Sequence, residues 1–179
     1  SDRIKFSALY AELATVWMIG IATGNGDPII FSGDGSPENE KEVLTSFYDH
    51  IKDHRSPWWV GHNVAKYDIP LLQVRSLRHG LPQLARLLSP LCLKPWESRV
   101  LDTLSLWPQA GSSRESCIVG CRKLDTICAL LGIEQQSGVM GSSIHDAWLA
   151  GDREGAEEHL RQDVIQVREV FKKMWPVLQ

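Results

Sequence analysis

The stretch Trp58-Trp59-Val60-Gly61-His62-Asn63-Val64-Ala65-Lys66-Tyr67-Asp68-Ile69-Pro70-Leu71-Leu72 decides how the chain folds. It opens on an apolar run, Trp58 to Val60, that reads as a short buried strand. Gly61 turns the chain into polar residues, and an apolar-periodic helix follows. Asp68 then falls near the helix start, where the macrodipole favours a carboxylate. Pro70 suits the first turn, where its missing N–H has no bond to lose. Gly80 is placed to cap the other end. Taken alone, the stretch is a strand, a loop and a helix that begins on an Asp.

Upstream, the apolar and Ala-rich segment Phe6 to Ala14 leads into Val16 to Ala22. The cluster Gly24-Asn25-Gly26-Asp27-Pro28 is a turn signal, and Ile29-Ile30-Phe31 follows it. These three runs predict an antiparallel meander. Ser36-Pro37-Glu38 opens a helix with Pro at its first position and acids in its first turn. Val43, Leu44, Phe47, Tyr48 and Ile51 continue that helix at helical spacing. Downstream, Arg99-Val100-Leu101 predicts a fifth strand, with Asp102-Thr103 capping a short helix after it. Gly111 to Ser116 reads as a loop, Leu124 to Leu131 as a helix stopped by Gly132, and Ile144 to Leu149 as a short helix. Arg153 to Trp175 carries the longest amphipathic pattern, through Ala156, Leu160, Val164, Val167, Val170, Phe171 and Met174.

A chain of 179 residues suits one domain with a sizeable core, spanning 1–179. Its hydrophobic fraction of 43% and charged fraction of 23% are those of a globular protein. The formal charge of −3 argues against a protein that coats nucleic acid electrostatically, but not against an enzyme that grips one strand end. No apolar run is long enough to span a membrane and no signal peptide is visible, so no membrane partner and a cytoplasmic location are expected. The four cysteines are Cys92, Cys117, Cys121 and Cys128. The Cys117-x-x-x-Cys121 spacing has no second clip beside it, so reduced thiols are the expectation.

On the last helix, His159 and Asp163 stand four apart and share one face. Such a pair can orient a water and hold a metal. Glu157, Glu158, Arg161 and Gln162 nearby offer the plainer reading of a solvated face.

Several segments together resemble one family. Asn63-x-x-x-Tyr67-Asp68-x-Pro70-x-Leu72, after a strand ending in Gly61-His62, resembles the second motif of the DEDD superfamily of 3′–5′ exonucleases. The likeness is to stand-alone relatives of the proofreading domain of family B DNA polymerases. His159-Leu160-Arg161-Gln162-Asp163 resembles that family's third motif, with His where a Tyr precedes the metal-binding Asp. Lys123-Leu124-Asp125, Leu131-Gly132-Ile133, Gly141-Ser142-Ser143-Ile144 and Ala150-Gly151-Asp152 also look like that family. The resemblance implies an α/β, ribonuclease-H-like fold: a mixed five-stranded sheet, antiparallel meander plus parallel strands, flanked by helices.

The first motif departs from the family. Its pattern is Asp-x-Glu on the first strand, often followed by Thr, with period two putting both acids on one face. Glu12-Leu13-Ala14-Thr15 is the best match, with Glu12 at the Asp position and Ala14 at the Glu position. A rival register sets Tyr10 and Glu12 there instead. Either way one acid remains. A Glu in place of Asp shifts the carboxylate by a methylene, roughly 1 Å, which matters for positioned catalysis. Asp102 is the spare acid, and a helix N-cap is its plainer role.

The resemblance therefore implies a hydrolase acting on the 3′ end of single-stranded DNA, with RNA as the other candidate substrate. Glu12, Asp68 and Asp163 are the expected ligands of two Mg²⁺ or Mn²⁺ ions, three carboxylates where the resemblance implies four. His159 is expected to orient the attacking water. Asn63 and Tyr67 are expected beside the substrate. The alternatives are an inactive module of the same fold that binds nucleic acid or a protein, and an accessory subunit using some of the seven Trp as an interface.

Overall fold

The computed structural model describes residues 14–54, 57–92, 97–107, 123–134 and 144–178. Glu12, the expected first strand as far as residue 13, the loop Gly111 to Ser116, Cys117 and Cys121 lie outside them. The chain divides into two compact units, Ser1–Ile19 with Phe31–Asp102, and Gly20–Ile30 with Thr103–Gln179.

Strands β1 (Met18–Ile21) and β2 (Ile29–Ser32) pair with each other. Residues 22–28 connect them, far fewer than the dozen or so a parallel crossover needs, so the pair is an antiparallel hairpin. Strands β3 (Trp59–Gly61) and β4 (Val100–Asp102) pair in parallel. The fold is thus mixed α/β. The expected five-stranded sheet is not seen among the described residues, whose strands form two sheets of two. The segment that would supply the first strand of the meander lies outside them.

In the first unit, helix α1 (Pro37–Ile51) starts as its sequence predicts. Pro37 takes the first position, and the Ser36 hydroxyl accepts the Asn39 N–H at 3.3 Å. Its buried stripe is Val43, Leu44, Phe47 and Ile51. Helix α2 (Asp68–Arg78) ends at His79, and Gly80 follows at φ +67°, a left-handed conformation open to glycine. Helix α3 (Pro82–Leu88) and a 3₁₀ turn (Ser89–Cys92) pack on α2 and bury Leu84, Ala85 and Leu88. The expected buried strand at Trp58–Val60 is corrected on burial. Trp58 precedes β3 and is 63% exposed, and Val60 is exposed too. Period-two alternation is the reason. Residues 58 and 60 share one side, while Trp59 points to the other and meets the Phe47 ring edge at 6.4 Å between centroids.

The second unit holds helices α4 (Thr103–Leu106), α5 (Leu124–Leu130), α6 (Ile144–Leu149) and α7 (Arg153–Leu178). Ile127, Cys128, Val170 and Met174 form its core, with Leu106, Trp107, Leu124, Leu131 and Ile133 packed around them. Arg161 and Arg168 of α7 donate to the carbonyls of Pro28 and Gly26, at 2.7 and 2.6 Å. Helix α7 runs past the expected end at Trp175 to Leu178. Pro176 lies in its last turn, so the bond its missing N–H forgoes is at the very end of the ladder. No helix among the described residues is long and apolar enough to cross a membrane.

One polar cluster lies inside the first unit. Glu40 of α1 is 1% exposed. Its carboxylate accepts from the Val16 N–H at 2.8 Å, from Arg75 Nε at 2.7 Å and also from Arg75 Nη2, and meets His79 Nε2 at 2.6 Å. Burial alone would raise the Glu40 pKa. The Arg75 bonds, the Val16 N–H and His79 together overcome burial and hold it below the ordinary carboxylate value.

Replacing one member of a buried ion pair leaves the other uncompensated, at about 3–5 kcal/mol. Glu40→Gln is expected to lose stability on that order in urea unfolding at pH 7. The folded pKa lies below the unfolded one. The contribution is therefore fully present above roughly pH 4.3 and is lost as pH falls through the folded value. The gap between wild type and Glu40→Gln should accordingly narrow in melts below pH 4.

Candidate active site

Gly61 stands opposite Asp102 in the β3–β4 register, and both strands end there. Ligands of α/β folds gather beyond the carboxyl ends of parallel strands. Gly61 cannot carry a side chain, since a Cβ would lie 2.5 Å from both Cβ and Cγ1 of Val64. Val64 thus folds back over the strand end and closes a tight turn.

That turn has two further constraints. Asn63 takes φ +60°, a left-handed conformation that Asn tolerates better than most residues. Asp102, 5% exposed, receives the Asn63 N–H at 2.9 Å on one carboxylate oxygen and the Ala65 N–H at 3.1 Å on the other. The Asn63 carbonyl accepts from Tyr67 N–H at 3.2 Å and Lys66 N–H at 3.3 Å, which winds the chain into α2. Asp68 is the first residue of α2, as expected, and Tyr67 its N-cap.

Asp68 is exposed to solvent. The protein crowded around its carboxyl nevertheless pushes its pKa up to about 6. Its own backbone N–H pulls the other way, and the charge of Asp102 adds to the rise. Burial, and then Asp68, raise the Tyr67 hydroxyl. The first unit therefore brings Asn63, Tyr67, Asp68 and Asp102 together around one strand end.

The second unit carries the other pair. His159 Nε2 lies 3.5 Å from Asp163 Oδ2 on α7, and both side chains are partly exposed. The i, i+4 spacing does put them on one face. Of the first motif, Ala14 is buried and Thr15 exposed, and Glu12 lies outside the described residues. Among the described residues no three His, Cys, Asp or Glu side chains cluster as a metal centre would require. The donor chemistry at Asp68 does fit a hard cation: an accessible carboxylate, crowded and beside a second carboxylate, gains from a positive charge.

Asp102 was expected to cap the short helix after β4. Its carboxylate also serves the facing turn, a pairing across 37 to 39 residues that no local pattern announces. Cys128 is a free, buried thiol, pushed up to about 11 by burial, then by Asp125 and Asp163.

The molecule is thus an α/β protein with carboxylates gathered at the end of a parallel strand pair, an arrangement suited to phosphate chemistry. Residues 11–99 match the family described as a predicted 3′–5′ exonuclease related to the exonuclease domain of PolB. Over that segment, just under half of its length, the chain is similar to this PolB-related exonuclease family, as the second motif implies. The match includes Asp68 and stops before Asp102, His159 and Asp163. A DNA polymerase of Archaeoglobus fulgidus is 25% identical over 168 residues, covering 93% of this chain and 21% of the polymerase. The chain therefore spans about a fifth of that relative's length. No solved structure matches it.

The raised value of Asp68 has a measurable consequence. A carboxyl with a folded pKa of about 6 against an ordinary 3.8 is a liability when ionised, and the liability vanishes as pH falls below about 4. Without added metal, Asp68→Asn is expected to raise Tm at pH 7.5 by about 2–4 °C, the effect of roughly 1 kcal/mol once solvent screening is allowed for. The difference should disappear in melts near pH 4.

Proposed function

We propose that the chain is one exonuclease-like domain, spanning 1–179, that shortens single-stranded DNA from the 3′ end by metal-dependent hydrolysis. The observation that carries this reading is Asp68. It is an accessible carboxylate kept, against crowding and the charge of Asp102, at the head of the helix that follows β3, within the segment that matches 3′–5′ exonucleases. The near full-length alignment with a DNA polymerase supports both the single domain and DNA as substrate, with RNA as the competing strand.

In this reading Glu12, Asp68 and Asp163 would hold Mg²⁺ or Mn²⁺, which supplies Lewis acidity to the scissile phosphate when bound. His159 orients a water and takes its proton as the oxygen attacks phosphorus. The bond from phosphorus to the 3′ oxygen of the preceding nucleotide breaks. A nucleoside 5′-monophosphate leaves, and a strand with a new 3′ hydroxyl remains. Asn63 and Tyr67 bind the terminal nucleotide.

A second reading has its own observation. Ala14 is buried where the family has Glu, so the first strand offers at most one acid. That favours a module that keeps the fold to bind a strand end without cutting it.

The two separate on a 5′-labelled single-stranded oligonucleotide with Mn²⁺, with and without EDTA. The exonuclease yields a ladder shortening from the 3′ end that EDTA abolishes. Asp68→Asn and Asp163→Asn should each slow it by about 100-fold or more. Full activity in both variants would falsify the site. A shifted strand with no ladder establishes the binding module. Glu12→Asp combined with Ala14→Glu should then restore cutting, since a carboxylate at the buried position 14 is favourable only beside a cation.

A further inference from the structure

Two amides of one turn, those of Asn63 and Ala65, converge on a single carboxylate. Backbone N–H groups converging in this way form a concave anion site. Here Asp102 fills it from the neighbouring strand, in the register that sets Asp102 opposite Gly61. The filled turn is also where the backbone is least free. Asn63 is the described non-glycine residue with positive φ, and Val64 presses on the bare Cα of Gly61.

Three consequences follow. The Asn63 and Ala65 amides are committed to Asp102, so these two do not serve the substrate's phosphate. Asn63 is held left-handed by a bond to its own N–H, which fixes where its side chain begins. The next turn, closed by the Asn63 carbonyl, delivers Asp68 as the first residue of α2.

We propose that Asp102 is a positioning residue: its carboxylate locks the 62–65 turn and thereby sets Asn63 and Asp68 for the 3′ end of the strand. This rests on the exonuclease reading above, or on its strand-binding variant, since both need that strand end. Asp102 acts through the turn and touches neither substrate nor metal.

Asp102→Asn is the informative change. It keeps one acceptor oxygen but presents an NH₂ to the second amide, so one bond is lost and the turn is released on one side. Asp102→Ala removes both bonds. Each variant is measured at a temperature where circular dichroism shows it folded. Affinity for a 3′-fluorescent single-stranded oligonucleotide is read with Ca²⁺ in place of Mn²⁺, and cleavage is read with Mn²⁺.

Loss of affinity or cleavage of about tenfold for Asp102→Asn, and more for Asp102→Ala, is expected. The penalty of Asn63→Ala should also shrink in the Asp102→Ala background, because a released turn no longer positions that side chain. A role confined to stability predicts otherwise: lower Tm, unchanged affinity and cleavage in the folded variants, and additive effects with Asn63→Ala. That result would overturn the proposal. If Asp102→Ala does not fold, Asp102→Asn with the Asn63→Ala cycle decides alone. The failure of the underlying reading looks different, because the wild-type protein would then neither bind nor cut the oligonucleotide.

Discussion

The first unit depends on one buried carboxylate. A charge with no access to water costs several kcal/mol unless every side of it is answered. Glu40 is answered by Arg75, His79 and the Val16 N–H. An apolar residue of similar size would fill the space, but it would not choose a register. Glu40 does choose one, because its donors come from two different places in the chain. Arg75 and His79 sit on and just after α2, so their bonds fix the roll and height of that helix. Arg75 follows Asp68 by seven residues of helix, about 10 Å at 1.5 Å per residue, and the direction of Asp68 is inherited from the far end of a rigid rod. Val16 follows the first-motif segment. One interaction in the core thus ties the backbone at Val16 to the helix that begins at Asp68.

How much of this was legible in the sequence follows from the range of each interaction. Local chemistry read correctly. Ser36-Pro37 starts α1, Asp68 starts α2, Gly80 follows its end, Gly132 stops α5, and His159 with Asp163 share a face of α7. Each depends on neighbours within a turn or two, where periodicity and capping leave a trace. Helix α3 carries the same kind of signal, Pro82 at its first position and Leu84 with Leu88 four apart, and could have been read from it.

The missed features are long-range and polar. Glu40 looks like a first-turn acid on a solvated helix face, and Asp102 like an N-cap. Nothing around either residue names the partner 24 to 39 residues away. The exposure of Trp58 was misjudged for a related reason. An apolar run fixes which residues alternate, but only tertiary packing decides that Trp59 goes inward to Phe47 while Trp58 and Val60 go out.

The same distinction bears on what the second motif proves. Most of it is demanded by the fold. Gly61 is needed because Val64 covers it, Asn63 tolerates the left-handed turn, and Asp102 answers the amides. A protein that had lost all catalysis would keep these residues to stay folded, so their presence does not separate an enzyme from a binding module. Asp68 is different. It makes the structure worse where it stands, since crowding and the neighbouring Asp102 both oppose its charge. An Asn there would start the same helix without that opposition, giving up only the smaller gain of a carboxylate from the helix dipole. A group that violates local stability without structural compensation is where function is to be sought. A positive charge beside Asp68 would relieve that opposition, whereas the rest of the motif is explained by the turn it builds.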